Sequence, residues 1–302
     1  MNNKNYLISV TGPTAVGKTN LSIEIAKNFN SEIISFDSRQ FYKEMTIGTA
    51  VPSEEELKQV KHHFIQHKSI FDNYNINDYN RDVDSLIKIL SKKKKYIVLV
   101  GGSNLYLKSI IYGLDNIPEI PNELRQKLNF EFKTKGIEYI QQLLKKPDIN
   151  YYKNVDLQNH RRIIRALEVS IFTKKPFSSF LKGTKKEKYK HHSIVLNLDR
   201  DILYKRINNR VDYMIENRLI DEVKKLFEYK NLNPLNTIGY KELFKYLNGD
   251  CSIEKSVEQI KMNSRRFAKK QYTWLNNNGN HIWLDASKTT QSNINTLFQK
   301  IF

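Results

Sequence analysis

One cysteine, Cys251, occurs in 302 residues. The chain can therefore form no intramolecular disulfide and no cysteine-based zinc site. No stretch approaches the roughly 20 consecutive apolar residues that a membrane helix needs. The opening MNNKNYLISVTGPTAVGKT reads as a short strand running into a loop, without the apolar run and small-residue cleavage site of a signal peptide. A cytoplasmic protein that does not associate with membranes is expected. Acidic residues are also short: 32 Asp+Glu stand against 50 Lys+Arg, a formal net charge of +18. So large an excess repels itself in a compact fold, and an acidic partner is the usual reason to tolerate it. Nucleic acid is the favoured partner. The competing reading is codon bias, with the lysines as solvated surface. No internal repeat or extended low-complexity segment occurs.

Hydrophobic residues make up 39% and aromatics 11%, enough for a sizeable core and against wholesale disorder. The length suggests two domains, or one with a large insertion. Tyr6–Val10, Glu32–Phe36, Tyr96–Val100, Ser193–Leu198 and His281–Leu284 read as strands. Helical periodicity covers Thr19–Phe29, Asp78–Lys92, Asn104–Tyr112 and Asp201–Glu216. Alternating strand and helix predicts an α/β fold whose parallel sheet is flanked by helices. The alternation breaks between 117 and 190, a stretch that opens with Pro118 and Pro121 and closes with the basic run Lys182–Lys190. It is read as an inserted helical domain, leaving 1–116 and 191–302 as the core.

Gly12-Pro13-Thr14-Ala15-Val16-Gly17-Lys18-Thr19 fits G-x-x-x-x-G-K-[ST] between a strand and a helix. Such a loop curls its backbone N–H groups around a phosphate, and the helix N-terminus adds positive potential. Lys18 supplies a point charge, and the Thr19 hydroxyl is placed to ligand Mg2+. A di- or triphosphate is the expected ligand, and the α/β core is expected to be P-loop NTPase-like. Hydrolases usually carry an acid at the end of a second hydrophobic strand. Here Tyr96–Val100 ends in Gly101-Gly102-Ser103, whereas the strand ending at Phe36 is followed by Asp37. That leaves the hydrolysis kit incomplete and favours group transfer.

Further motifs follow in order: Asp37-Ser38-Arg39-Gln40-x-Tyr42, then Ile47-Gly48-Thr49-Ala50 with Pro52, and Gly101-Gly102-Ser103-Asn104-Leu105-Tyr106. After these come Arg161-Arg162-x-x-Arg165-Ala-Leu-Glu168, Ile238-Gly239-Tyr240-Lys241-Glu242 and Ala268-Lys269-Lys270-Gln271-x-Thr273-Trp274. Together with the P-loop, this ordered set resembles the tRNA dimethylallyltransferase family from about position 12 to 274. Each motif is weak alone, but their order is specific. Ser103-Asn104 replaces the family's usual Thr-Gly, which puts the local backbone shape in question, and Lys270 stands where Arg is common.

The resemblance implies transfer of a dimethylallyl group from dimethylallyl diphosphate to N6 of an adenosine beside the tRNA anticodon. It makes Asp37 the base, with Thr19 and Arg206 also catalytic and Arg200 joining the P-loop on the pyrophosphate. Implied tRNA contacts are Asp37, Ser38, Arg39, Gln40, Ser103, Arg125, Arg161, Arg162, Ile163, Ile164 and Arg165. Asp37 can instead be read as a helix cap or metal-site residue, and the arginines of Arg200–Arg210 as salt-bridge partners, with Arg210 as surface. On a helical wheel Arg161, Arg162 and Arg165 share an arc of about 100°, apart from Ile163, Ile164 and Leu167. Ser38 and Gln40 can hydrogen-bond base edges. Arg265–Lys270 reads as a further basic helix face. His62 and His63 lack a third metal ligand at sensible spacing and are read as structural or loop residues. Tyr74, Tyr79, Tyr151 and Tyr152 read as half-buried packing. A monomer is expected. The rival readings are a small-molecule or nucleotide kinase, sharing the loop and lid arginines, and a non-enzymatic RNA binder with a vestigial loop.

Overall fold

Buried aliphatic runs become strands, and amphipathic segments become the helices that cover them. The computed structural model describes residues 6–181, 183 and 186–301. In chain order the elements are β1 (Tyr6–Thr11), α1 (Lys18–Asn28), β2 (Ile33–Ser35), α2 (Glu54–Gln59), β3 (His62–His63), α3 (Ile76–Leu90), β4 (Tyr96–Val100) and α4 (Asn104–Tyr112). Next come α5 (Asn122–Lys145), α6 (Ile149–Asn154) and α7 (His160–Thr173). The chain then continues through β5 (Lys190–Asn197), α8 (Arg200–Glu216), α9 (Leu219–Lys225), α10 (Tyr240–Leu247), α11 (Ile253–Asn277), β6 (Ile282–Asp285) and α12 (Thr290–Ile301).

All six strands form one sheet in the order β3-β2-β4-β1-β5-β6, and every pairing is parallel. A parallel sheet is covered on both faces, so its central strands read as continuous apolar runs rather than alternating ones. β4 is buried throughout and β1 nearly so. Alternate residues still go to opposite sides. Leu7 and Ile97 join one core with Val83, Ile87 and Leu243, while Ile8 and Val98 join another with Leu21, Leu203 and Leu297. β1 lies between β4 and β5, where the chain changes its direction of travel across the sheet. Ligands of such sheets bind beyond the carboxyl ends of the strands at that switch point.

The chain divides into two units, Met1–Tyr112 with Glu187–Phe302, and Gly113–Lys186. The expected insertion, 117–190, is displaced by about one helical turn. Residues 187–189 belong with the sheet, because Lys188 N–H donates to Ile111 O and Lys188 Nζ pairs with Asp84. Of the basic run Lys182–Lys190, positions 182, 184 and 185 lie outside the described residues, as do 1–5 of the opening stretch. The smaller unit is helical, with Leu128, Ile140, Leu144, Ile163, Ile164 and Leu167 at its centre.

His62 and His63 prove to be a two-residue edge strand paired with Ile33 and Ile34, too short for any periodicity to announce. His63 Nε2 lies 2.6 Å from Glu32 Oε2. Tyr79 is fully buried and donates its hydroxyl to Ser35 O, and Tyr74 donates to Asp82, so both are scaffold. Among the described residues no helix is long and apolar enough to cross a membrane.

Candidate active site

The loop after β1 must turn sharply while touching β5, and only glycine permits it. Gly12 has φ 144°, and a Cβ there would fall 2.7 Å from Leu196 O. Lys18 opens α1 and curls back, donating to Gly12 O at 3.2 Å and Pro13 O at 2.8 Å. Burial of its ammonium pulls the pKa down to about 8, against the neighbouring Asp37 carboxylate, while Arg210 adds to the depression. The Thr19 hydroxyl takes no protein partner among the described residues.

Asp37 stands just beyond β2. Its Oδ1 accepts the Arg39 N–H at 3.1 Å, fixing the turn. The loop after β4 lies alongside. Ser103 Oγ accepts the Ser38 N–H at 3.1 Å and pairs with the Ser38 hydroxyl at 3.1 Å. Asn104 begins α4 without a left-handed backbone, so this departure from glycine introduces no strain there. Its Oδ1 accepts from the Thr11 hydroxyl at 3.4 Å.

Two side chains that sequence reasoning left out complete the cluster. Arg210, read as surface, donates to Thr14 Oγ1 at 3.3 Å. Burial lowers its pKa and Asp37 opposes the shift, so guanidinium, ammonium and carboxylate share one electrostatic neighbourhood. Arg206, one turn earlier on α8, is exposed, as is Arg200. Arg200 lies over the Tyr204 ring at 5.2 Å and lines a cavity of about 480 Å³ with Asn197, Lys269, Tyr272 and Trp283. No P-loop residue lines that cavity. The second omission is Gln271, whose side chain bonds both Thr14 and Gly102. A signal existed: a polar residue occupies the buried stripe Ala268–Gln271–Leu275 of α11.

Several expected tRNA contacts are already engaged. Gln40 donates its amide hydrogens to Thr49 O and Ala50 O, and Arg39 donates to Asn233 O and Pro234 O. The Ile47–Ala50 motif is held by Glu222, which accepts the N–H groups of Thr46, Ile47 and Gly48 and the Tyr240 hydroxyl.

In the helical unit, Ile163 and Ile164 are buried core. Their side chains cannot meet RNA, and the expectation that they do is corrected by the apolar packing of α7. Arg125 and Arg165 both donate to the fully buried Glu168. The Arg161 and Arg162 side chains are exposed and make no hydrogen bond or ion pair among the described residues. In the larger unit, Arg265 donates to Asn208, while Arg266, Lys269 and Lys270 are exposed.

No group of three or more His, Cys, Asp or Glu able to hold a metal occurs among the described residues. Magnesium does not require one. It keeps several waters and binds through one or two protein oxygens plus substrate phosphates. The Thr19 hydroxyl beside a phosphate cradle fits that pattern.

Fold and loops together define a P-loop α/β protein in which the Asp37 carboxylate acts on the Lys18 ammonium and the Arg210 guanidinium. Residues 40–278 match the family described as IPP transferase. The tRNA dimethylallyltransferase of Christiangramia forsetii is 48% identical over 98% of this chain and 99% of its own length. That of Flavobacterium johnsoniae is also 48% identical, over 93% of this chain and 94% of its own. Among solved structures, the full-length tRNA isopentenylpyrophosphate transferase of Bacillus halodurans superimposes with a TM-score of 0.73 at 36% identity, covering 98% of this chain and 95% of that one. A eukaryotic dimethylallyltransferase acting on tRNA gives 0.81 at 26% identity, over 98% and 78%. The chain belongs to the tRNA dimethylallyltransferase family of prenyl-transferring enzymes.

Proposed function

We propose that this enzyme transfers a dimethylallyl group from dimethylallyl diphosphate to N6 of the adenosine beside the anticodon of a tRNA, releasing pyrophosphate. The observation that carries the reading is that Arg210 reaches Thr14 Oγ1 and Lys18 curls over the same loop, with the Asp37 carboxylate acting electrostatically on both. Adenine's exocyclic amine is a poor nucleophile, because its lone pair is delocalised into the ring. Its attack needs the reacting groups in line, a base for the departing proton and stabilisation of the leaving charge. In the transfer the N6–C1 bond forms, the C1–O bond to pyrophosphate breaks, and the N6 proton passes to Asp37. Asp37 needs to act only as the new bond makes the amine acidic. Lys18, Arg210 and the amides of 15–19 hold the leaving pyrophosphate.

A magnesium ion held by Thr19 Oγ1 and pyrophosphate oxygens would neutralise part of that charge. The exposed Arg161 and Arg162 supply RNA phosphate contacts. A target adenine within a stacked loop is extruded to reach an enclosed site.

The test is incubation with unmodified tRNA, Mg2+ and labelled dimethylallyl diphosphate, followed by digestion to nucleosides, with ATP alone in parallel. Label in N6-dimethylallyladenosine is expected. Robust ATP turnover without RNA, and no labelled nucleoside, would establish a kinase or hydrolase instead.

A further inference from the structure

We propose that Gln271 is a positioning residue that sets the spacing between the pyrophosphate loop and the acceptor-side loops; the inference rests on the transfer reaction above. Gln271 is only 5% exposed, and each end of its amide is committed. Oε1 accepts the Thr14 N–H at 2.9 Å, and Nε2 donates to Gly102 O at 3.1 Å. That orientation is unique. A backbone N–H needs an acceptor and a carbonyl needs a donor, so the amide fits only one way round.

Both contacts lead to the chemistry. Thr14 belongs to the phosphate loop, and its hydroxyl also receives Arg210. Gly102 precedes Ser103, which holds Ser38 next to Asp37. A Cβ on Gly102 would fall 2.7 Å from Gln271 Nε2 and 3.9 Å from Asp37 Oδ2, so the amide lies against the loop beside the base. One side chain from α11 thus ties the group that holds the leaving charge to the group that takes the proton. In-line displacement requires these two halves in fixed relation, and misplacement by about 1 Å can cost about 10²-fold in rate. Glutamate could still accept from Thr14, but it would turn a second acceptor toward the Gly102 carbonyl.

The experiment measures kcat and the KM of each substrate for wild type, Gln271→Glu, Gln271→Leu, Gly102→Ala and the Gly102→Ala/Gln271→Leu double variant, with thermal midpoints for all. Gln271→Glu is expected to keep donor KM near wild type while kcat falls by about 10²-fold. Gln271→Leu should lose donor affinity as well. Gly102→Ala pushes the same amide aside, so its loss should be non-additive with Gln271→Leu in the double variant. A fully active Gln271→Glu, strictly additive losses, or falls in rate that only track falls in thermal midpoint would overturn the proposal. Wild type that fails to prenylate tRNA in the same assay contradicts the transferase reading itself. Active wild type with an indifferent Gln271→Glu contradicts only the strut. Should Gln271→Leu fail to fold, Gln271→Glu and Gly102→Ala still decide the question.

Discussion

Lys18 is held in two ways at once: its charge is needed for an anion, yet its surroundings resist that charge. With its pKa drawn down from 10.5 to about 8, the free enzyme loses the ammonium as pH rises through about 8. Donor capture should fall over that interval. Bound pyrophosphate favours the charged form and pushes the pKa up again. The basic limb of kcat/KM for the donor should therefore lie near pH 8, and that of kcat at higher pH, because the two report free and bound enzyme. Rates at low and saturating donor across this range check it, and coincident limbs would contradict it. The fold responds with the opposite sign. Above about pH 8 the native state binds fewer protons at Lys18 than the unfolded chain, so this group's contribution to stability rises toward pH 10.5.

The arginines of α7 make a second prediction at this scale. Arg161 and Arg162 are exposed, whereas Arg165 is tied to Glu168. Replacing Arg161 and Arg162 together with Ala should flatten the log–log salt dependence of RNA affinity by about 1.4, at about 0.7 per phosphate contact. Arg165→Ala should instead lower the thermal midpoint and leave the slope nearly unchanged. Filter-binding titrations at several salt concentrations separate the two. An unaltered slope in the double variant would make that face merely solvated.

Among elements, the join of α5 and α7 depends on one carboxylate. Burial alone would raise the Glu168 pKa, but the hydrogen bonds from Arg125 and Arg165 outweigh it and hold the group below its ordinary range. Removing a buried ionic partner leaves its mates uncompensated, which costs about 3–5 kcal/mol for a fully buried pair. Arg125 is half exposed, so Glu168→Ala should cost less, about 2 kcal/mol. Because the native pKa is lowered, this stability is present near neutrality and is lost as pH falls through the native value. The difference in melting temperature between wild type and Glu168→Gln should therefore shrink in acid, which thermal melts at two pH values will read.

The elements also mark where sequence patterns stop being informative. β1, β4 and α4 were legible because apolar runs and flanking glycines agree there, and α8 because its helical period runs without a glycine or proline. β3 was not, since two histidines carry no period. Arg206 and Arg210 share a helix face, and nothing in spacing decides which one reaches the P-loop. That choice comes from how α8 packs beside β5 and α11. Gln40 and Arg39 carry no sequence mark of their intramolecular partners, the backbone carbonyls of Ala50 and Pro234. The P-loop was legible outright, because its glycines and Lys18 are adjacent in sequence.

For the whole molecule, an excess of 18 positive charges is coupled to a site that, in the proposed reaction, takes a pyrophosphate and a polyanionic acceptor. Charge of this kind steers association and makes it salt-dependent, but it does not choose the reaction. In the proposed reaction the choice lies at Asp37. Asp37→Asn keeps the acceptor for the Arg39 N–H and so preserves the turn, while removing the base. The decisive measurement is single-turnover transfer of labelled dimethylallyl from its diphosphate to unmodified tRNA by wild type, Asp37→Asn and Lys18→Ala, with donor dissociation constants from the same preparations. Wild type should label the RNA. Asp37→Asn should bind donor normally yet transfer about 10²–10⁴-fold more slowly, and Lys18→Ala should lose donor affinity as well as rate. A wild type that leaves the RNA unlabelled, or an Asp37→Asn variant that loses Mg2+-dependent donor binding as Lys18→Ala does, would contradict the account.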